Sequence, residues 1–97
     1  VDLATCTITD FEPLVGQPFE VRVPGLAPLP VTLERVRAGR DTPSGRASFS
    51  LFFLFPRQLP VAQGLWTLHH AATGALELFL VPVGQSDAGV RYEAVFG

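Results

Sequence analysis

The chain has 97 residues, of which 47% are apolar and 16% charged, with a formal net charge of −2. That length suits a single domain spanning residues 1–97, and so apolar and charge-poor a composition excludes intrinsic disorder. The slight negative charge excludes general attraction to nucleic acid or an anionic membrane, and no apolar run approaches the ~18–20 residues of a helical membrane span.

Turn-forming residues recur at short intervals, and the stretches between them alternate with period two. "LATCTIT" places Ala4, Cys6 and Ile8 on one face and Leu3, Thr5 and Thr7 on the other, which predicts a short edge strand. "TDFEPLVG" predicts one helical turn: Thr9 and Glu12 have capping-box spacing, Pro13 suits a first turn and Gly16 an exit. "PFEVRVP" turns Phe19, Val21 and Val23 inward. "VTLERVR" returns with Val31 and Leu33 inward, and Val36 falls off that register, which predicts a bulge near Arg35.

After the loop "AGRDTPSGR" comes "SFSLFFLFP", the most apolar passage of the chain. Phe49, Leu51, Phe53 and Phe55 form a core face, whereas the opposite face begins polar at Ser48 and Ser50 and turns apolar at Phe52 and Leu54. That half of the strand needs a cover on both sides. The helical turn and the connection "RQLPVAQG" are the candidates within the chain. If neither reaches, Phe52 and Leu54 mark a subunit interface, and Phe52→Ser then disrupts assembly while leaving the fold intact. "LWTLHH", "ALELFLVPV" and "VRYEAVF" complete the strands, the last with Val90, Tyr92, Ala94 and Phe96 on one side and Arg91, Glu93 and Val95 on the other. The expectation is an all-β domain, a small antiparallel barrel or two-sheet sandwich of six to seven strands, with one short helical turn near the N-terminus.

Residues that could carry chemistry are sparse. His69 and His70 are adjacent on a strand, so they point to opposite faces and cannot converge on one ion. They read as strand-end histidines, with a hydrolase built on either as the least favoured function. Cys6 is the sole cysteine, which excludes an intrachain disulfide, and it reads as a small buried residue. No metal-ligand pattern, nucleophile elbow or phosphate loop occurs, so neither a cofactor nor an enzymatic activity is expected. The loop from Arg37 to Arg46 carries Arg37, Arg40 and Arg46 and reads as a solvated hairpin loop or as a contact loop whose arginines could meet carboxylates of a partner. Arg91 and Glu93 share a face that, with Glu77, could meet another subunit. Trp66, Tyr92 and the Arg37–Arg46 loop could instead line a glycan or small-ligand pocket.

"ALELFLVPVGQSDAGVRYEAVFG" resembles the end of a family of small bacterial proteins of unknown function, which pairs "LFLVPVG" with "GxRYEAVF" across a short polar loop. "DFEPLVGQPFEV" looks like that family's opening motif. The resemblance implies proteins found beside phage-tail-like, tail-collar-type proteins, and hence a structural part in an extracellular or phage-like assembly. The leading expectation is therefore a non-enzymatic module that associates with copies of itself or with structural proteins of an assembly. Its contacts are expected at a β-edge bearing Ala4, Cys6 and Ile8 and at apolar surface. The N-terminus has no signal-peptide pattern, which leaves an extracellular assembly and the cytoplasm both open.

Overall fold

The computed structural model of the chain describes residues 6–41 and 47–96, with side chains at 6–39 and 48–96. Six strands follow the helical turn: β1 (Pro18–Val21), β2 (Leu29–Asp41), β3 (Ala47–Phe55), β4 (Gly64–His70), β5 (Gly74–Ser86) and β6 (Gly89–Phe96). All pair antiparallel and close into a barrel in the order β1-β2-β3-β6-β5-β4. Of the two closures open to an all-β chain, the sheet takes the barrel. The closing seam is short: β1 meets β4 only through Glu20 opposite His69 and Val21 opposite Leu68.

The order follows from two meanders, β1-β2-β3 and β4-β5-β6, joined by the connection 56–63. Because that connection crosses from one meander to the other, β3 lies beside β6 and not beside its successor in the chain. Period-two alternation then fills the interior. Phe19, Val31, Leu33, Leu51, Phe53, Leu68, Leu76, Leu80 and Tyr92 form one buried cluster, with Phe19 edge-on to Phe53 at 5.4 Å between ring centroids.

The bulge expected near Arg35 is present, and its physical reason is visible. Leu33 lies opposite Phe53 on β3, yet the next pair is Arg35 with Phe52, so Glu34 is the additional residue. Without it, strict alternation would follow Val31 and Leu33 with Arg35 in the core. The bulge turns Arg35 outward and packs Val36 against the core instead.

Cys6, Thr7 and Ile8 do not form the expected N-terminal edge strand. Thr7 is the N-cap of α1 (Ile8–Phe11), followed by a 3-10 turn at Glu12–Leu14. The helix begins two residues before the expected Thr9 cap because the Asp10 carboxylate accepts the Thr7 N–H at 2.8 Å, closing the capping box there. Cys6 is buried in the core, and Ala4 lies outside the described residues. Phe11 then seals one barrel end, its ring 6.0 Å from Phe49 and 5.8 Å from Phe96, which themselves stack at 4.7 Å. Gly16 exits the turn at φ +85°, where a side chain is strained, and donates its N–H to the Leu33 carbonyl at 2.7 Å.

At the other end, the connection 56–63 is tied down by two aromatic residues. The Tyr92 hydroxyl accepts the Ala62 N–H at 3.0 Å, and the Trp66 indole N–H donates to the Ala62 carbonyl at 3.2 Å. Leu59, within the connection, is buried.

Candidate functional site

The apolar half of β3 finds its second cover in side chains of its own neighbours. On the outer face, Phe52 stands between Arg35 of β2 and Glu93 of β6. The Arg35 and Arg37 guanidiniums lie over its ring, 4.4 and 5.0 Å from the centroid. Phe52 is thereby only 4% exposed although it lies outside the core cluster. Neither the helical turn nor the connection 56–63 supplies this cover: two arginines do. The stems of arginine shield apolar surface while their charged heads stay wet, and a guanidinium over an aromatic face is attracted electrostatically.

Two ion pairs brace this roof from β2 to β6. Arg37 reaches Glu93 at 3.6 Å, and Arg91 donates from Nε to Glu34 at 2.6 Å and from a terminal nitrogen at 3.4 Å. Hydrogen bonding to Glu34, and then its charge, raise the Arg91 pKa above its already high ordinary value. Arg91 and Glu93 therefore do not pair with each other or with Glu77; each reaches over β3 to β2. Leu54 is half-buried between Thr32 and Arg91. Glu34, Arg35 and Arg91 line a depression of about 310 Å³.

The outer face of β4 and β5 has a different character. Leu65 lies directly opposite Phe79, and the two are 67% and 54% exposed. Val81 lies opposite Glu93, and continuing that register brings Phe79 level with Val95, which is 71% exposed. Three large apolar side chains thus stand on the outer face of β4, β5 and β6. The sequence reading did not single out Leu65 or Phe79. The signal was available, since Phe79 follows Glu77 at the polar phase of a strand whose other phase holds Leu76, Leu78 and Leu80.

A third feature is a groove of about 620 Å³ at the β1–β4 seam. Its floor is the cross-strand row Pro30, Glu20, His69 and Ala75, one residue from each of four strands. Arg22 and Pro28 border one side, and Pro18, Ala71 and Gly74 the other. Small residues and rigid prolines leave this part of the surface hollow. Both histidines line it, as the sequence could not show, but His70 is engaged at both ring nitrogens. Nδ1 accepts the Ala72 N–H at 3.0 Å, so in the neutral ring Nε2 holds the proton and donates to Gln17 Oε1 at 2.8 Å. Among the described residues, the lining holds no serine, threonine or cysteine.

The remaining candidates are placed as follows. Cys6 is buried, Ile8 opens α1 and packs against the core, and Ala4, Arg46 and the Arg40 side chain lie outside the described residues. Trp66 and Tyr92 pack on Phe55 at 5.2 and 4.5 Å, and their polar atoms hold the connection 56–63. Tyr92 is buried and Trp66 half-buried against the core, and neither lines the two depressions described above. Among the described residues, no group of three or more His, Cys, Asp or Glu is placed to hold a metal ion.

Fold and surface together define a small closed antiparallel β-barrel with an arginine-roofed outer strand and an apolar outer face. The chain matches the family described as Domain of unknown function (DUF6916) over residues 6–96, and it belongs to that family. No curated protein and no solved structure matches it.

Proposed function

We propose that this barrel is a non-enzymatic assembly module that associates with copies of itself, or with structural proteins of a larger assembly, through its outer surface. The observation that carries this reading is the exposed pair Leu65 and Phe79, with Val95 beside it, on a regular sheet face. Scattered exposed apolar residues are ordinary, but large ones gathered on one flat face mark an interaction surface. The motif resemblance in the C-terminal third extends the proposal to a part in an extracellular or phage-tail-like assembly. The engagement of His70 by Gln17 and Ala72, and of Trp66 and Tyr92 by Ala62, favours this reading over a hydrolase built on His70 or an aromatic-lined ligand site.

Sedimentation of the full chain from micromolar to millimolar concentration tests the self-association. The wild type should shift to larger species as concentration rises, and Leu65→Lys combined with Phe79→Lys should sediment as a monomer throughout. A wild type that stays monomeric over the whole range overturns self-association through this face.

A further inference from the structure

We propose that the depression between β2 and β6 is a binding site for a single carboxylate presented by a partner protein, with Arg35 and Arg91 as its donors. The inference rests on the assembly reading above and gives the chemistry of the partner. Arg35 is the first reason. Among the described residues it has neither an ion-pair nor a hydrogen-bond partner, and its guanidinium lies over the Phe52 ring, 4.4 Å from the centroid. Its donors are therefore unspent, while the ring already restrains the guanidinium. A restrained guanidinium loses less rotamer freedom when it meets a carboxylate than a free one does.

Arg91 supplies the opposite wall. Glu34 accepts from its Nε and one terminal nitrogen, which leaves the other terminal nitrogen without a hydrogen-bond partner among the described residues, on a side chain that lines the depression. Glu34 also fixes the plane of that guanidinium, so both walls are set before a ligand arrives.

The charge of the face selects the ligand. Arg35, Arg37 and Arg91 stand against Glu34 and Glu93, which leaves one net positive charge, enough for one carboxylate. A nucleic-acid or other polyanionic ligand calls for a run of unpaired basic residues, whereas two of these three are already paired. An open depression with two donors holds a small free anion poorly in competition with water. A carboxylate fixed on a protein surface brings further contacts around the rim, and Arg is the charged residue most often found as such an anchor.

The test follows the Arg Nε–H signals of the ¹⁵N-labelled full chain by NMR. The probe is the capped pentapeptide Gly-Leu-Glu-Leu-Gly, and its Glu→Gln counterpart is the control. The Arg35 and Arg91 signals should shift saturably with the Glu peptide, and binding should weaken about tenfold or more with the Gln peptide, as expected for loss of a charge-assisted contact. Arg35→Gln should weaken it similarly. Arg35→Lys, which keeps a stem over Phe52 and preserves the charge, should bind detectably but less well, and amide spectra verify that both variants remain folded. No saturable shift, equal binding of the two peptides, or an equal shift at the distant Arg57 overturns the site. Inorganic phosphate binding as tightly as the Glu peptide overturns the protein source in favour of a free anion. None of these results alters the sedimentation of the Leu65 and Phe79 variants, so this proposal can fail while the assembly reading stands.

Discussion

Phe52 lies on the outside of the barrel and is nevertheless almost wholly covered, and replacing it measures what the arginine roof is worth. A phenylalanine side chain buries about 150–250 Å², or roughly 4–6 kcal/mol at ~25 cal/mol per Å² as an upper bound. Core Phe→Ala substitutions cost about 3–5 kcal/mol. Here the cover consists of the flexible Arg35 and Arg37 side chains, whose guanidiniums lie over the ring and can settle into the vacated space, so Phe52→Ala should fall at the low end, about 3 kcal/mol. Phe52→Leu retains most of the burial and loses two exposed cation–π contacts of about 0.5–1 kcal/mol each, for a cost of about 1–2 kcal/mol. Against a domain stability of about 5–15 kcal/mol, both variants remain folded. Urea unfolding followed by fluorescence of the single tryptophan gives the values directly, because Trp66 packs on Phe55 and Tyr92 and not on Phe52. An Ala variant that loses less than about 1 kcal/mol would show that the ring is not covered in solution. If Phe52→Ser were instead to leave stability unchanged and lower the mass of the assembly, Phe52 would be an interface residue and the arginine roof would be displaced by a partner.

Two further substitutions test the frame. Gly89 has φ +147°, and a Cβ there would overlap the carbonyl oxygen of Phe55 on β3. Gly89→Ala should therefore destabilise by about 2 kcal/mol or more, read as a fall in Tm of roughly 10 °C; an unchanged Tm would contradict the close β3–β6 approach. Tyr92→Phe keeps the ring contacts to Phe55 and Trp66 but leaves the Ala62 N–H without its acceptor. It should cost about 1–2 kcal/mol and speed tryptic cleavage after Arg57, the only basic residue of the connection 56–63. Equal cleavage rates would mean that the hydroxyl does not hold the connection.

The six strands and the bulge were legible because both are written in period two. Leu76, Leu78 and Leu80 name an inward face without help from the rest of the chain, and the lapse from Leu33 to Val36 announces an additional residue between them. The N-terminal segment was harder. Alternation across Cys6 and Ile8 matches a strand as well as the start of a helix, and only the Thr7–Asp10 hydrogen bond decides between them. The cover of Phe52 lay further out of reach, since it depends on the bulge placing Arg35 opposite Phe52 across two strands. The groove floor depends likewise on β1 meeting β4, a closure that local patterns do not encode. The outer apolar residues are intermediate: their phase can be read from the strand, but the pairing of Leu65 with Phe79 requires the register.

The crossing of the connection from one meander to the other has a consequence for how the chain comes to be folded. β3 exchanges hydrogen bonds with β6, from Phe55 with Val90 to Phe49 with Phe96, about forty residues apart in the chain. Contacts of such long range make β-barrels slow to fold, on the scale of milliseconds to seconds. At a synthesis rate of ~5–20 residues per second, β3 waits about 2–8 s on the ribosome before β6 has been made. Throughout that interval its Phe-rich face and one full strand edge are without their final neighbour, and the window for misassociation belongs to the nascent chain more than to the finished barrel.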